Sequence, residues 1–163
     1  MSHVAGIVKR IQRELLDLDR VVARAQRAWK HAPTSADPDM YADSAALNIQ
    51  GLYTGVERIF EQIARQLDNR IPAGDSWHLD LLRQMQADIP DVRPAVISSE
   101  SLVGLDALRR FRHVVRNVYA TNLNPKKLDD LMIVLGKCWP EVRAELLAFA
   151  DFLQTLDESE NTP

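Results

Sequence analysis

A single cysteine, Cys138, is present among 163 residues, so no internal disulfide can form. Its apolar setting beside Trp139 reads as a core thiol, with a nucleophile a distant second. No apolar run approaches the roughly 20 residues needed to cross a bilayer. With one cysteine and no signal-peptide pattern, the expected compartment is the cytoplasm, away from any membrane. There is no glycine-rich phosphate loop, no H-E-x-x-H and no Cys/His metal spacing, so neither a cofactor nor a metal is expected. The absence of any Glu-x-x-His pair disfavours a metal-dependent bundle enzyme. No segment alternates with a period of two, which excludes a sheet protein. The formal net charge of −3 excludes a global nucleic-acid signal; any such signal must be local.

What is present is a soluble, globular composition: 46% hydrophobic and 26% charged residues. The length suits one domain, expected over 1–156 and followed by an acidic, frayed tail at 157–163. Val4, Val8, Ile11, Leu15, Leu18, Val22, Ala25 and Trp29 recur with four-three spacing, predicting a first helix of about 26 residues and about 39 Å. Leu16 and Val21 are expected to widen its stripe. The stretch HAPTSADPD ends it. A second helix is predicted from between Pro38 and Ser44 to about Asp68, on the seam Ala45, Ile49, Leu52, Val56, Ile59 and Ile63. Gly51 and Gly55 inside it imply the close approach of another helix, since glycine there costs roughly 1 kcal/mol. Glu57 and Glu61 read as surface charges, with a pairing of Glu57 to an arginine of the basic helix at 102–121 as the other option.

Asp75 or Ser76 is expected to cap a short helix from Trp77 to about Ala87. Its His78 reads as a structural or exposed histidine more readily than as a site residue. Pro90 and Pro94 predict an extended connector. Ser98 or Ser99 then caps a further helix ending near Thr121 and Asn122, with Glu100 in its first turn. Asn124 and Pro125 open another helix, which Gly136 and Pro140 are expected to separate from a last one carrying Val142, Leu146, Phe149, Leu153 and Leu156 inward. The expected fold is therefore all-α, an antiparallel bundle of five or six helices. The long first helix and broad apolar stripes point to a homodimer.

The stretch LVGLDALRRFRHVVRNVYAT, 102–121, organises the rest. At about 100° per residue, Leu108, Phe111, Val115 and Val118 share one flank. Arg109, Arg112, His113 and Arg116 share the other, with Asn117 just past His113 and Tyr119 almost over Arg112. One side can be buried while the other concentrates positive charge. On spacing alone, a solvated helix face explains the charge as well as a binding site does.

The same stretch resembles the HEPN-domain signature R-x-x-x-x-H and its HepT-like extension R-x-x-x-x-H-x-Y. The matching residues are Arg112, Asn117 and Tyr119, so asparagine stands where the family has histidine. The flanking FRHVVRNVY and AELLAFADFL, and the earlier GLYTGVERIFEQIA, carry the resemblance from about Tyr41 to Leu156. It implies a HEPN-like bundle and a metal-independent RNA endonuclease, the toxin of a toxin–antitoxin pair. The implied partner is a minimal nucleotidyltransferase antitoxin that transfers AMP onto the signature tyrosine, here Tyr119.

RNA cleavage without metal requires deprotonation of the ribose 2′-hydroxyl, protonation of the leaving oxygen and stabilisation of a charged phosphorane. Arginine suits the last role through fixed charge and forked donors. Arg112, Arg116 and Arg109 are the candidates. Histidine suits proton transfer, and His113 is the only histidine on this helix. Asn117 can orient phosphate or water but cannot act as an acid or base at neutral pH. The catalytic set expected is thus Arg112, His113 and Asn117, with Arg109 and Arg116 on RNA phosphate. The competing expectation is a non-catalytic HEPN-like module that binds RNA or protein, which Asn117 favours.

Overall fold

The computed structural model describes the backbone of residues 3–117 and 123–160, and their side chains except those of 113–117 and 160. Among the described residues there are five α-helices and no strand: α1 His3–His31, α2 Pro38–Gln66, α3 Trp77–Gln86, α4 Ser99–Asn117 and α5 Pro125–Glu160. A 3₁₀ turn, Ala32–Thr34, follows α1. The all-α bundle expected from the sequence is thus present.

The predicted seam of α1 is buried from Val8 to Ala25, joined by Ile7 and Ala28, with Val4 and Trp29 half-buried at its ends. Leu16 departs from expectation. It lies one helical step beyond Leu15, turned out of the seam, and is 59% exposed. α2 is the central helix. Its buried residues between Ala45 and Ala64 cover about 200° of the cylinder, a broad face packed against several neighbours. It packs antiparallel to α1. A Cβ on Gly55 would clash with Leu18 Cδ2, so the two helices approach closely there and a larger residue would force the Leu18 side chain to shift. At Gly51 the nearest atom, Val21 Cγ1, is at an ordinary 3.7 Å.

The connector after α3 carries a buried ion pair. The Arg93 and Asp68 side chains are 0% and 1% exposed. Arg93 Nε donates to Asp68 Oδ1 at 2.7 Å and Nη2 to Oδ2 at 2.8 Å. The remaining guanidinium donors reach the carbonyls of Gln84, Ala87 and Pro94. All five N–H groups of the fork are used, which is what makes such a burial tolerable. Val96 N then donates to Met85 O at 2.8 Å, docking the connector on α3.

Of the two proposed caps for α4, Ser98 is the one used: Ser101 N donates to Ser98 Oγ at 3.2 Å, and Ser98 N donates to Glu145 Oε1 at 3.1 Å. The expected end of this helix near Thr121 and Asn122 lies outside the described residues. α4 runs antiparallel to α5 at a second close approach, where a Cβ on Gly104 would meet Cys138 Sγ at 2.7 Å. Asn124 caps α5 as expected, accepting from Lys126 N at 3.0 Å.

The predicted break at Gly136 and Pro140 does not occur. α5 is continuous, with Pro140 inside it. Proline costs a helix one N–H and crowds the carbonyl four residues earlier. Here that residue is Gly136, and both positions are exposed. Leu156, expected inward, is 41% exposed. The helix continues to Glu160, through the first part of the acidic segment expected to fray. α1 and α5 are tied antiparallel by Trp29 Nε1 donating to Asp129 and Trp139 Nε1 donating to Asp19. One hydrophobic core draws on all five helices, from Ile7 to Leu153.

Candidate functional site

The basic helix α4 buries Leu105, Leu108 and Phe111 against the bundle. Its cations are not equivalent. Arg109 Nε donates to Asp106 Oδ1 at 2.8 Å, and Arg110 Nη2 lies 3.1 Å from Asp106 Oδ2. Asp106 therefore offsets two of them locally, at positions where helical spacing of three and four residues brings side chains together.

Arg112 points instead towards α2. Its side chain is only 18% exposed, and Nη1 lies 3.5 Å from Glu57 Oε1. Arg112 Nε is buried without a hydrogen-bond partner. Glu57 belongs to the buried set of α2 and its side chain is 6% exposed. The surface-charge reading of Glu57 is thus overturned, and the pairing with an arginine of the basic helix is what the structure contains. The sequence did hold a signal. Tyr53, Glu57, Phe60 and Ala64 follow four-three-four spacing, so the carboxylate stands inside an apolar stripe, where a charge requires partners.

Glu57 has three. Tyr53 OH donates to Glu57 Oε2 at 2.9 Å from one turn earlier on α2. His78 Nδ1 lies 2.5 Å from the same oxygen. The other oxygen faces Arg112. Because a carboxylate only accepts, the imidazole proton sits on Nδ1. His78 stacks on Trp77, with centroids 3.7 Å apart and planes at 29°, and remains 27% exposed. The packing of α3 on α2 thus brings His78, set aside in the sequence as a structural or exposed residue, to the carboxylate that holds Arg112.

The electrostatics keep Tyr53 a neutral donor. Burial pushes its hydroxyl far above the ordinary tyrosine range. The Glu57 charge and hydrogen bond push the same way, and Arg109 and Arg112 only partly oppose them. Burial likewise pushes the Cys138 thiol up to about 12, helped by Glu141 and Glu145, so little thiolate exists at neutral pH. Cys138 is a core residue.

Of the candidates from the sequence, Arg109 and Arg112 are placed on α4 with carboxylate partners. His113, Arg116 and Asn117 lie on the last turns of α4, and their side chains fall outside the described residues. Tyr119 lies outside them altogether. Among the described residues no group of three His, Cys, Asp or Glu side chains is disposed to hold a metal ion. Among them, too, no helix is long and apolar enough to cross a membrane.

The arrangement can hold an anion against a partly buried guanidinium and present an imidazole beside it. No curated protein and no solved structure matches the chain. A family model described as HepT-like protein matches residues 44–153, a span that takes in Glu57, His78 and the whole basic helix. By its sequence over that span and its all-α bundle, this chain belongs to the HepT-like family of HEPN-domain proteins.

Proposed function

We propose that this chain is a metal-independent RNA endonuclease, the toxin of a toxin–antitoxin pair, with residues 1–156 acting as one HEPN-like unit. The observation that carries the reading is Arg112. A guanidinium held on one side by Glu57, with Nε buried and unpartnered, is a fixed cation of the kind a phosphorane needs. Arg109 and Arg116 add phosphate contacts on the same flank. His113 serves proton transfer, and Asn117 holds the phosphate or an ordered water. The chain acts as a homodimer whose two basic helices line a shared cleft. Leu16, apolar and exposed on α1, is a residue such an interface would cover.

Control comes from a minimal nucleotidyltransferase partner that transfers AMP to Tyr119. The added phosphate repels RNA and pairs with the neighbouring arginines. The non-catalytic alternative draws on one observation, Asn117 in place of the motif histidine.

The test is RNA cleavage by the purified chain in chelator, with and without the nucleotidyltransferase and ATP. Cleavage that the partner abolishes, with the adenylyl group found by mass spectrometry on the Tyr119 peptide, supports the toxin reading. Tight RNA binding without cleavage favours the non-catalytic one. Asn117→His restores the family pattern and separates the two further. A rate unchanged or raised from an active parent fits the catalytic reading. Activity appearing only in the variant marks the natural chain as binding-only.

A further inference from the structure

We infer that His78, oriented by Glu57, is the base that takes the proton of the ribose 2′-hydroxyl; the inference rests on the ribonuclease reading above. Cleavage needs two proton transfers, and the basic helix offers one histidine. The structure brings a second from α3.

The geometry at Glu57 is that of an oriented base. A carboxylate only accepts, so Nδ1 carries the proton facing Glu57 Oε2, and in the neutral ring the lone pair is on Nε2. Tyr53 donates to the same oxygen and keeps the carboxylate in place from behind. Trp77 stacks on the ring and limits its rotation. Nε2 has no partner among the described residues, and the ring is 27% exposed. The other oxygen of the carboxylate faces Arg112, so the base and the phosphate-stabilising cation are positioned by one group. The charged group that faces it is Glu57 on α2, whose carboxylate also meets Tyr53 on α2 and Arg112 on α4.

The step balances as follows. His78 Nε2 takes the 2′-hydroxyl proton as the 2′-oxygen attacks the adjacent phosphorus. The bond from phosphorus to the 5′-oxygen breaks. That oxygen leaves with a proton from His113, the transfer group proposed above. The products are a 2′,3′-cyclic phosphate and a 5′-hydroxyl end, and exchange with solvent resets both imidazoles.

The closing experiment compares the natural chain with His78→Asn and His78→Gln in chelator. Asparagine can still donate to Glu57 from near the position of Nδ1, but it offers no basic nitrogen. His78→Asn is expected to slow cleavage about 100-fold or more and to lose the rise of rate with pH on the acid side. RNA affinity, read by anisotropy at fixed salt, should change by no more than about twofold, since a neutral ring adds little to phosphate attraction. The natural chain adds a measurement that needs no variant: the midpoint of its acidic limb should coincide with the NMR titration of His78 in the folded protein. A folded His78→Asn that keeps the parent rate and acidic limb overturns this inference alone, as does a mismatch of the two midpoints. A natural chain inert towards RNA in chelator overturns the ribonuclease reading, and this inference with it.

Discussion

Glu57 Oε1 lies 3.5 Å from Arg112 Nη1, so the carboxylate that anchors the motif arginine also restrains its charge. Glu57→Gln should therefore act in opposite directions on binding and turnover. Loss of one negative charge beside Arg112 is expected to tighten RNA binding at low salt by about twofold to fivefold. Cleavage is expected to slow, because the amide no longer enforces the tautomer of His78. Anisotropy and initial rates at matched salt read both. Weaker binding with slower cleavage would mean that the carboxylate mainly holds the fold.

Arg112→Ala and Lys30→Ala remove the same charge. Lys30 stands exposed in the last turn of α1, while Arg112 is mostly buried on the basic helix. Arg112→Ala should weaken RNA binding more than Lys30→Ala and lower its salt dependence by about one unit of slope, while Lys30→Ala changes that slope little. Arg112→Ala should in addition reduce cleavage by at least about 100-fold, the scale of losing a donor to a developing oxyanion. Equal effects at matched salt would remove the case for a specific site.

The Arg93–Asp68 pair concerns stability rather than chemistry. With both side chains essentially inaccessible, removing one partner leaves the other charged and buried. Asp68→Ala is expected to cost about 3–5 kcal/mol, against little for a surface carboxylate. Urea unfolding gives the value. A loss below about 1 kcal/mol would mean that the connector opens and hydrates Arg93 at small cost.

Tyr53 gives a dependence on alkaline pH. Its ionisation is raised in the folded chain, chiefly by burial, above the unfolded value of about 10. The unfolded chain therefore releases this proton first. The stabilising contribution is fully present below about pH 10 and is lost progressively as pH rises beyond it. Melting temperature should fall above pH 10, and Tyr53→Phe should flatten that fall while lowering stability near neutrality through the lost bond to Glu57. Parallel curves for the two proteins would assign the alkaline loss to other groups.

Much of the scaffold was legible because apolar spacing carries its own geometry. The α1 seam, the Asn124 cap and the reason for Gly55 all follow from rules local to a few turns. The misreadings come from residues whose meaning is fixed by distant partners. Pro140 reads as a break until the bonds of Trp139 and Arg143 to Asp19, a residue of another helix, are in place on either side of it. Glu57 reads as a surface charge until its partners from other segments are in place. His78 is unremarkable on α3, and only the crossing of α3 over α2 gives it a carboxylate. Local pattern finds elements; buried charge is found by asking which partner could meet it.

Asp19 gives the continuous α5 a consequence of a mechanical kind. It receives Trp139 Nε1 at 2.9 Å just before Pro140 and Arg143 Nε at 2.9 Å just after it. A rod with a missing internal rung is thus splinted across the gap by a carboxylate from the neighbouring rod. With the splint in place, both halves of α5 carry load together and brace α4 along its length. Without it, the weak point at Pro140 becomes a joint, and the half of α5 nearer Asn124 can swing without the half that holds the Ser98 end of α4.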